Sequence, residues 1–217
     1  MPKLKFCGIR TENDIDYVNQ YTPDYIGFVF APGKRQITPI KARQLRDRFL
    51  SAYMSTGSLK DRPLFVGVFV NETPGNIESA VKYAGLDIVQ LHGDESDDCV
   101  ASLKSKLPSI QVIRAVRLRD EAALLNSLDT SADFLLFDAY SRDEYGGTGK
   151  SADLSMIERN RDIITKPFFI AGGLNADNLN TAIALSPYGL DISSGIETNG
   201  VKDPEKMANC KLQMANY

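Results

Sequence analysis

The sequence holds one histidine, His92, and only three cysteines, Cys7, Cys99 and Cys210. An odd number of thiols at such wide spacing builds neither a disulfide framework nor the paired spacing of a zinc site, so the cysteines read as reduced thiols and no metal is expected. An excess of charge of one sign is also missing: 25 basic against 28 acidic side chains leave a net charge of −3, with both signs interspersed. No basic field gathers a polyanion, which argues against nucleic acid as a partner. Long apolar runs are absent too. The longest, Leu64-Phe65-Val66-Gly67-Val68-Phe69-Val70, is the length of a strand and far short of the roughly 20 residues that cross a bilayer. Met1-Pro2-Lys3-Leu4-Lys5 leads into strand-like sequence without an apolar signal segment, so the expectation is a cytoplasmic protein with no membrane partner.

What is present is a repeat. Short β-branched or aromatic runs at 3–7, 25–30, 64–70, 87–91, 111–116, 134–138, 167–171 and 189–193 alternate with stretches of helical spacing at 12–20, 39–53, 74–84, 95–106, 121–128, 153–161, 176–185 and 204–214. Thr38-Pro39, Thr73-Pro74 and Asp203-Pro204 each put a capping side chain before a proline suited to the first helical position. Near-continuous apolar strands alternating with amphipathic helices predict an α/β fold with a parallel sheet covered by helices. Eight units in 217 residues, a strand at the start and a helix at the end, favour a closed (β/α)8 barrel over an open sheet. Residues 1–217 are read as one domain, with the polar 51–61 segment as a connection on the face away from the chemistry.

In such a barrel the working groups stand at the C-terminal ends of the strands. Those positions hold Cys7-Gly8, Gly33-Lys34-Arg35, Asn71, Gln90-Leu91-His92-Gly93, Arg114 to Arg117, Asp138, Ala171-Gly172-Gly173 and Ser193-Ser194-Gly195. The glycines after strands seven and eight, Gly172, Gly173 and Gly195, with Ser194 opening a short helix, are placed where barrel phosphate sites form, because glycine lets backbone N–H groups approach an anion. Cys7 and Asp138 suit a base and an acid that reach a small substrate from two sides. A thiolate works as a base when its pKa is drawn below about 8.5, and a carboxylic acid donates when its pKa is raised above about 3.9. Arg35, with its planar fork of donors, is placed to meet an anionic group of the substrate. Arg114 is either a carboxylate ligand or an ion partner inside the barrel. His92 is either a hydrogen-bonded strand-end residue or, with Gln90, part of the substrate site. Cys99 and Cys210 fall in helices and read as core residues.

The stretch Tyr145-Gly146-Gly147-Thr148-Gly149-Lys150-Ser151-Ala152 imitates two nucleotide motifs and satisfies neither. The P-loop's first glycine would fall on Glu144, and no strand runs directly into the Gly-x-Gly-x-x-Ala pattern. A mobile loop covering a ligand is the better expectation.

In order along nearly the whole chain, Lys5-Phe6-Cys7-Gly8-Ile9, Gly27-Phe28-Val29-Phe30 with Lys34-Arg35, Val66-Gly67-Val68-Phe69, Val89-Gln90-Leu91-His92-Gly93, Leu136-Phe137-Asp138, Gly146-Gly147-Thr148-Gly149-Lys150, Ala171-Gly172-Gly173-Leu174-Asn175 and Asp191-Ile192-Ser193-Ser194-Gly195-Ile196-Glu197 with Gly200-Val201-Lys202-Asp203 resemble the phosphoribosylanthranilate isomerase family of tryptophan biosynthesis. The charge of −3 leaves monomer and homodimer both open, and the resemblance implies a one-domain barrel that needs no cofactor. It converts N-(5′-phosphoribosyl)anthranilate, a phosphorylated small molecule, to 1-(2-carboxyphenylamino)-1-deoxyribulose 5-phosphate. It also implies Asp138 as the acid that protonates the furanose oxygen, Cys7 as the base that removes the C2 proton, Arg35 on the anthranilate side and the two glycine turns on the phosphate. The chain departs from the family pattern at Gly33, where serine is frequent, and after Lys150, where Ser151-Ala152-Asp153-Leu154 replaces an aromatic-Asp-Trp run in a chain with no tryptophan. The alternatives are another sugar-phosphate barrel isomerase and a non-catalytic sugar-phosphate-binding barrel. The latter would keep the glycine turns without needing Cys7 and Asp138 together.

Overall fold

Thr38, Thr73 and Asp203 each open a helix in the computed structural model, accepting from Lys41 N, from Asn76 N, and from Glu205 and Lys206 N respectively. These bonds satisfy helix donors that lack an intrahelical partner, and the proline that follows gives up an N–H the helix would not use. Thr11 makes the reciprocal capping box with Asp14, worth about 1 kcal/mol by comparison with an alanine cap. The structure describes residues 1–55, 61–138 and 154–216. The glycine loop expected at 145–152 lies outside them, as do residues 56–60 of the polar connection.

The barrel strands are β1 (Lys3–Cys7), β2 (Tyr25–Val29), β3 (Leu64–Phe69), β4 (Ile88–Leu91), β5 (Gln111–Arg117), β6 (Phe134–Asp138), β7 (Phe168–Ala171) and β8 (Gly189–Ile192). Helices α1 (Glu12–Tyr21), α2 (Pro39–Tyr53), α3 (Pro74–Ala84), α4 (Asp97–Lys106), α5 (Glu121–Leu128), α6 (Ser155–Arg159), α7 (Leu179–Ala184) and α8 (Pro204–Ala215) follow them in turn. The eight strands pair in sequence order, all parallel, and β8 closes on β1 with Lys5 opposite Asp191. The expected closed (β/α)8 barrel is therefore the observed one. No helix among the described residues is long and apolar enough to cross a membrane.

Alternation along the strands decides which side chains reach the axis. Tyr25, Val66, Ile88, Ile113, Phe134, Leu136, Phe169 and Ala171 fill the interior. Their neighbours Ile26, Phe65, Val89, Val112, Leu135, Phe168 and Ile170 pack outward with the helix layer. The aromatic filling is dense below the mouth: Phe169 meets Tyr25 and Phe134 edge-on at 5.4 and 5.8 Å between centroids. That leaves the C-terminal rim as the place for polar groups.

Helix α6 is confined to Ser155–Arg159 where 153–161 was expected, and three other departures have a local reason. Helix α4 begins at Asp97 instead of 95 because the Glu95 carboxylate leaves the helix to accept from Asn71 N and Gly93 N at 2.6 and 2.8 Å. Helix α7 begins at Leu179 instead of 176 because Asn175 and Asn178 trade side-chain bonds with the backbone of Asp177, Asn175 and Gly173, which holds 175–178 in a turn. After β8 comes a small hairpin that the sequence reading missed, β9 (Glu197–Thr198) and β10 (Val201–Lys202). Its turn is Asn199-Gly200, with φ of 53° and 76°, the dipeptide that suits a two-residue hairpin.

Candidate active site

Cys7 ends β1 on the inward phase, 6% exposed. Space for it is made by Gly27 across the β1–β2 pair, where a β-carbon would lie 2.7 Å from the Cys7 sulfur. Two lysines flank the thiol. Lys5, fully buried two residues earlier on the same face, is paired with Asp191 at 2.8 Å. Lys202, from the hairpin, donates to the Cys7 carbonyl at 2.6 Å. Burial pushes the Cys7 thiol up, Lys5 and Lys202 pull it down, Asp191 pushes it up, and the net is a raised pKa. Desolvation of a thiolate at this depth outweighs the two nearby cations in the resting site.

Asp138 ends β6, also inward, and its Oδ2 lies 3.1 Å from Nε2 of His92. The Gln90 amide nitrogen lies 2.8 Å from Nδ1 of the same ring. An amide NH2 only donates, so Nδ1 accepts and Nε2 carries the hydrogen that it donates to Asp138. Three candidates taken from the ends of β4 and β6 are thus one hydrogen-bonded chain. It occupies one oxygen of the carboxyl group and, among the described residues, leaves Oδ1 to act. Gln90 Oε1 and Asp191 Oδ1 are buried with no partner among the described residues.

Arg35 follows β2 and is gripped by Glu197, through Nε at 2.7 Å and one terminal nitrogen at 2.6 Å. That side-on pairing leaves the terminal edge of the guanidinium for an anion. Burial pushes Glu197 up, yet Arg35 and Lys202 together hold it down to about 2. Glu197 and Lys202 belong to the hairpin, and the signal that could have found them was the Asn199-Gly200 turn between them.

After β7, Gly172 and Gly173 take φ of 94° and 66°, the left-handed region that glycine adopts without strain. After β8, Ser194 opens a single short 3-10 turn, Ser194–Ile196. A β-carbon on Gly195 would lie 1.8 Å from the carbonyl oxygen of Leu174, so the two glycine turns pack backbone to backbone. The expected neighbours are brought together.

Arg114 is not brought into the mouth. Ile113 and Ala115 face the interior while Val112 and Val116 join the helix layer, so Arg114 shares the outward phase and comes within 3.9 Å of Asp97 at the start of α4. Its placement as a substrate ligand is a correction of one residue in phase. The arginine at the mouth is Arg117, opposite Asp138 in the β5–β6 register and donating to the His92 carbonyl at 3.4 Å. Cys210 is buried in α8 with its thiol pushed up to about 12 by burial, and Cys99 is half-buried in α4. Both are away from the strand ends.

A thiol and a carboxyl group on opposite sides of one rim, with an arginine and paired glycine turns between them, make this a β/α barrel of the kind that moves protons on small phosphorylated ligands. The model of the N-(5′-phosphoribosyl)anthranilate (PRA) isomerase family matches residues 4–211. The N-(5′-phosphoribosyl)anthranilate isomerase of Endomicrobium trichonymphae is 43% identical over 211 residues, 95% of each chain. That of Clostridium acetobutylicum is 42% identical over 218 residues, 100% of each chain. A crystal structure of a phosphoribosyl anthranilate isomerase in complex with reduced 1-(o-carboxyphenylamino)-1-deoxyribulose 5-phosphate superposes with a TM-score of 0.79 at 30% identity, covering 100% of both chains. The chain belongs to the phosphoribosylanthranilate isomerase family.

Proposed function

We infer that the mouth of this barrel carries out the isomerisation of N-(5′-phosphoribosyl)anthranilate to 1-(2-carboxyphenylamino)-1-deoxyribulose 5-phosphate, a step of tryptophan biosynthesis, with Asp138 as acid and Cys7 as base. Asp138 delivers a proton from Oδ1 to the furanose oxygen. The C1–O bond breaks, and the anilino nitrogen's lone pair completes a C1=N iminium. That cation acidifies the C2–H bond, and the Cys7 sulfur takes the proton to leave an enolamine. Ketonisation then places a hydrogen on C1 and removes one from the C2 hydroxyl, so substrate and product are isomers, and return of one proton from the Cys7 thiol to the Asp138 carboxylate through solvent resets the pair.

The observation that carries this reading is the pairing of two inward groups at strand ends, the buried Cys7 of β1 and the His92-held Asp138 of β6. One acid and one base suffice for the chemistry. The free edge of Arg35 suits the anthranilate carboxylate, and the glycine turns after β7 and β8 suit the phosphate. The buried oxygens Gln90 Oε1 and Asp191 Oδ1 favour a hydroxyl-bearing ligand, because each is an acceptor whose burial costs about 1–3 kcal/mol while it lacks a donor.

The test is fluorescence-monitored consumption of phosphoribosylanthranilate by the wild type, Cys7→Ala and Asp138→Asn. The wild type turns over, and each variant loses about 10²–10⁴-fold in kcat, the range of a general acid or base, with an unchanged circular dichroism spectrum. Full activity in Cys7→Ala would sink the base assignment, and an inactive wild type would sink the reaction.

A further inference from the structure

The hairpin after β8 is only two residues per strand, and its paired residues Glu197 and Lys202 turn inward beneath the mouth. The Lys202 ammonium is 1% exposed and has three acceptors around it: the Cys7 carbonyl at 2.6 Å, the Ser193 carbonyl at 2.9 Å and Glu197 Oε1 at 2.8 Å. An ammonium has three N–H donors and no acceptor, whereas a neutral amine has two, so the charged form matches this cage. The same Glu197 carboxylate takes both side-on donors of Arg35. The outer end of the hairpin is tied as well, since Arg10 donates to the carbonyls of Gly200 and Lys34.

We propose that Lys202 is a positioning residue for the isomerisation: carried by the β9–β10 hairpin, its ammonium fixes the end of β1 at Cys7 and, through Glu197, aims the free edge of Arg35. Base and anion-binding fork are thereby set by one buried cation. This rests on the reading of Cys7 as base and Arg35 as anion ligand. Lys202 touches no reacting atom, and its influence passes through the Cys7 carbonyl, through its charge beside the thiol, and through Glu197.

Geometry and charge make separable contributions. The groups that face Cys7 are Lys5 from its own strand, Asp191 from β8, Arg35 from the loop after β2, and Glu197 and Lys202 from the hairpin. Three cations against two carboxylates leave one unit of positive charge where a thiolate would form. Removing Lys202 removes that surplus and also takes its N–H donors from the carbonyls of Cys7 and Ser193, leaving the Cys7 carbonyl the longer bond from the Ser193 hydroxyl at 3.3 Å.

The experiment measures kcat, KM and the pH dependence of kcat/KM on phosphoribosylanthranilate for the wild type, Lys202→Met, Lys202→Arg and Glu197→Gln, with thermal melts as a fold control. Lys202→Met is expected to lower kcat by about 10²-fold, the scale of a misplacement of order 1 Å, and to move the rising limb of the profile to higher pH. Lys202→Arg keeps the charge and returns the limb to its wild-type position, although a guanidinium fits the cage poorly and kcat stays below wild type. Glu197→Gln presents a single acceptor to Arg35 and raises KM about 10-fold or more, with a smaller change in kcat. A Lys202→Met enzyme with wild-type kcat overturns the proposal. So does one that is slower but has an unmoved limb, since packing alone would do that. If Lys202→Met does not fold, the decision falls to the other two variants: an unchanged KM in Glu197→Gln, or a displaced limb in Lys202→Arg, overturns it. An inactive wild type refutes the assigned reaction instead, which separates the two failures.

Discussion

Replacing Gly27 by alanine tests whether the Cys7 sulfur is the reacting atom, because the added methyl group strikes it directly. The new β-carbon would lie 2.7 Å from the sulfur, 3.1 Å from the Cys7 α-carbon and 3.2 Å from its β-carbon. Non-bonded contact of this kind needs about 3.5–4.0 Å, so the sulfur has to retreat by roughly 1 Å and the strand pair must part by a few tenths of an ångström. Overpacking of that size costs about 1–3 kcal/mol, offset by about 0.4–1 kcal/mol from the lower chain entropy of unfolded alanine. The net, about 1–2 kcal/mol, lowers Tm by roughly 3–6 °C for a chain of this size. A general base displaced by 1 Å loses about 10²-fold in rate. Gly67→Ala is the control. Its β-carbon would meet Leu86 at 2.5 Å and Phe69 at 2.9 Å, side chains of the helix layer, so it costs stability on the same scale and leaves kcat within about twofold. Thermal melts and phosphoribosylanthranilate consumption on both variants decide the matter. Wild-type kcat in a folded Gly27→Ala enzyme, or equal losses of kcat in the two variants, would refute the argument.

Two further outcomes follow from the same geometry. Arg114→Ala is expected to keep kcat/KM within about twofold, because the side chain lies in the helix layer beside Asp97, and its exposed-type ion pair is worth about 1 kcal/mol or less. Arg117→Ala, at the mouth, raises KM, and steady-state kinetics showing the reverse order would restore Arg114 to the site. For Glu197 the sign is that of a depressed carboxylate. With a folded pKa of about 2 against an ordinary 4.5, it contributes stability that is present above about pH 4.5 and is lost as pH falls towards 2, up to about 3 kcal/mol. Urea unfolding at pH 6 and pH 3 should therefore show Glu197→Gln less stable than wild type at pH 6, with the gap cut to about half or less at pH 3, which still lies above the folded pKa. An undiminished gap at pH 3 would show that the pairing with Arg35 and Lys202 is not the source.

The barrel was legible because its signals are local. Thr38-Pro39, Thr73-Pro74 and Asp203-Pro204 each start a helix, and apolar runs of five to seven residues recur between the helices. Site residues at strand ends were legible for the same reason, since Cys7, His92 and Asp138 each close a run. What escaped is non-local or depends on phase. In Gln111-Val112-Ile113-Arg114-Ala115-Val116-Arg117 both faces of the strand are apolar, because a barrel strand is buried on both sides. Nothing in the run itself says which arginine faces in. Lys202 escaped because a lysine next to an aspartate and a proline reads as a surface residue, and only closure of β8 onto β1 carries it under Cys7. Helix α7 began late because the asparagines at 175 and 178 bond their own backbone, a competition that helical spacing does not register.

The raised pKa of Cys7 is compatible with its work once the order of events is considered. Burial pushes the Cys7 thiol up despite Lys5 and Lys202, which lowers the share of thiolate, the form that oxidises. The anthranilate carboxylate and the phosphate bring negative charge, which by itself raises the thiol further. Ring opening reverses this. The positive charge of the iminium appears at C1, one bond from the C–H to be broken, in a site whose low polarisability magnifies a nearby charge. The iminium therefore favours a thiolate beside it and acidifies the C2–H bond, and it is as thiolate, its own proton already given up to solvent, that the sulfur takes the C2 proton. A base lowered permanently below its ordinary range would be available earlier and would be weaker when needed, since basicity falls with pKa. Because the C2–H bond becomes acidic only once the iminium has formed, proton removal at C2 by Cys7 follows proton delivery at the ring oxygen by Asp138.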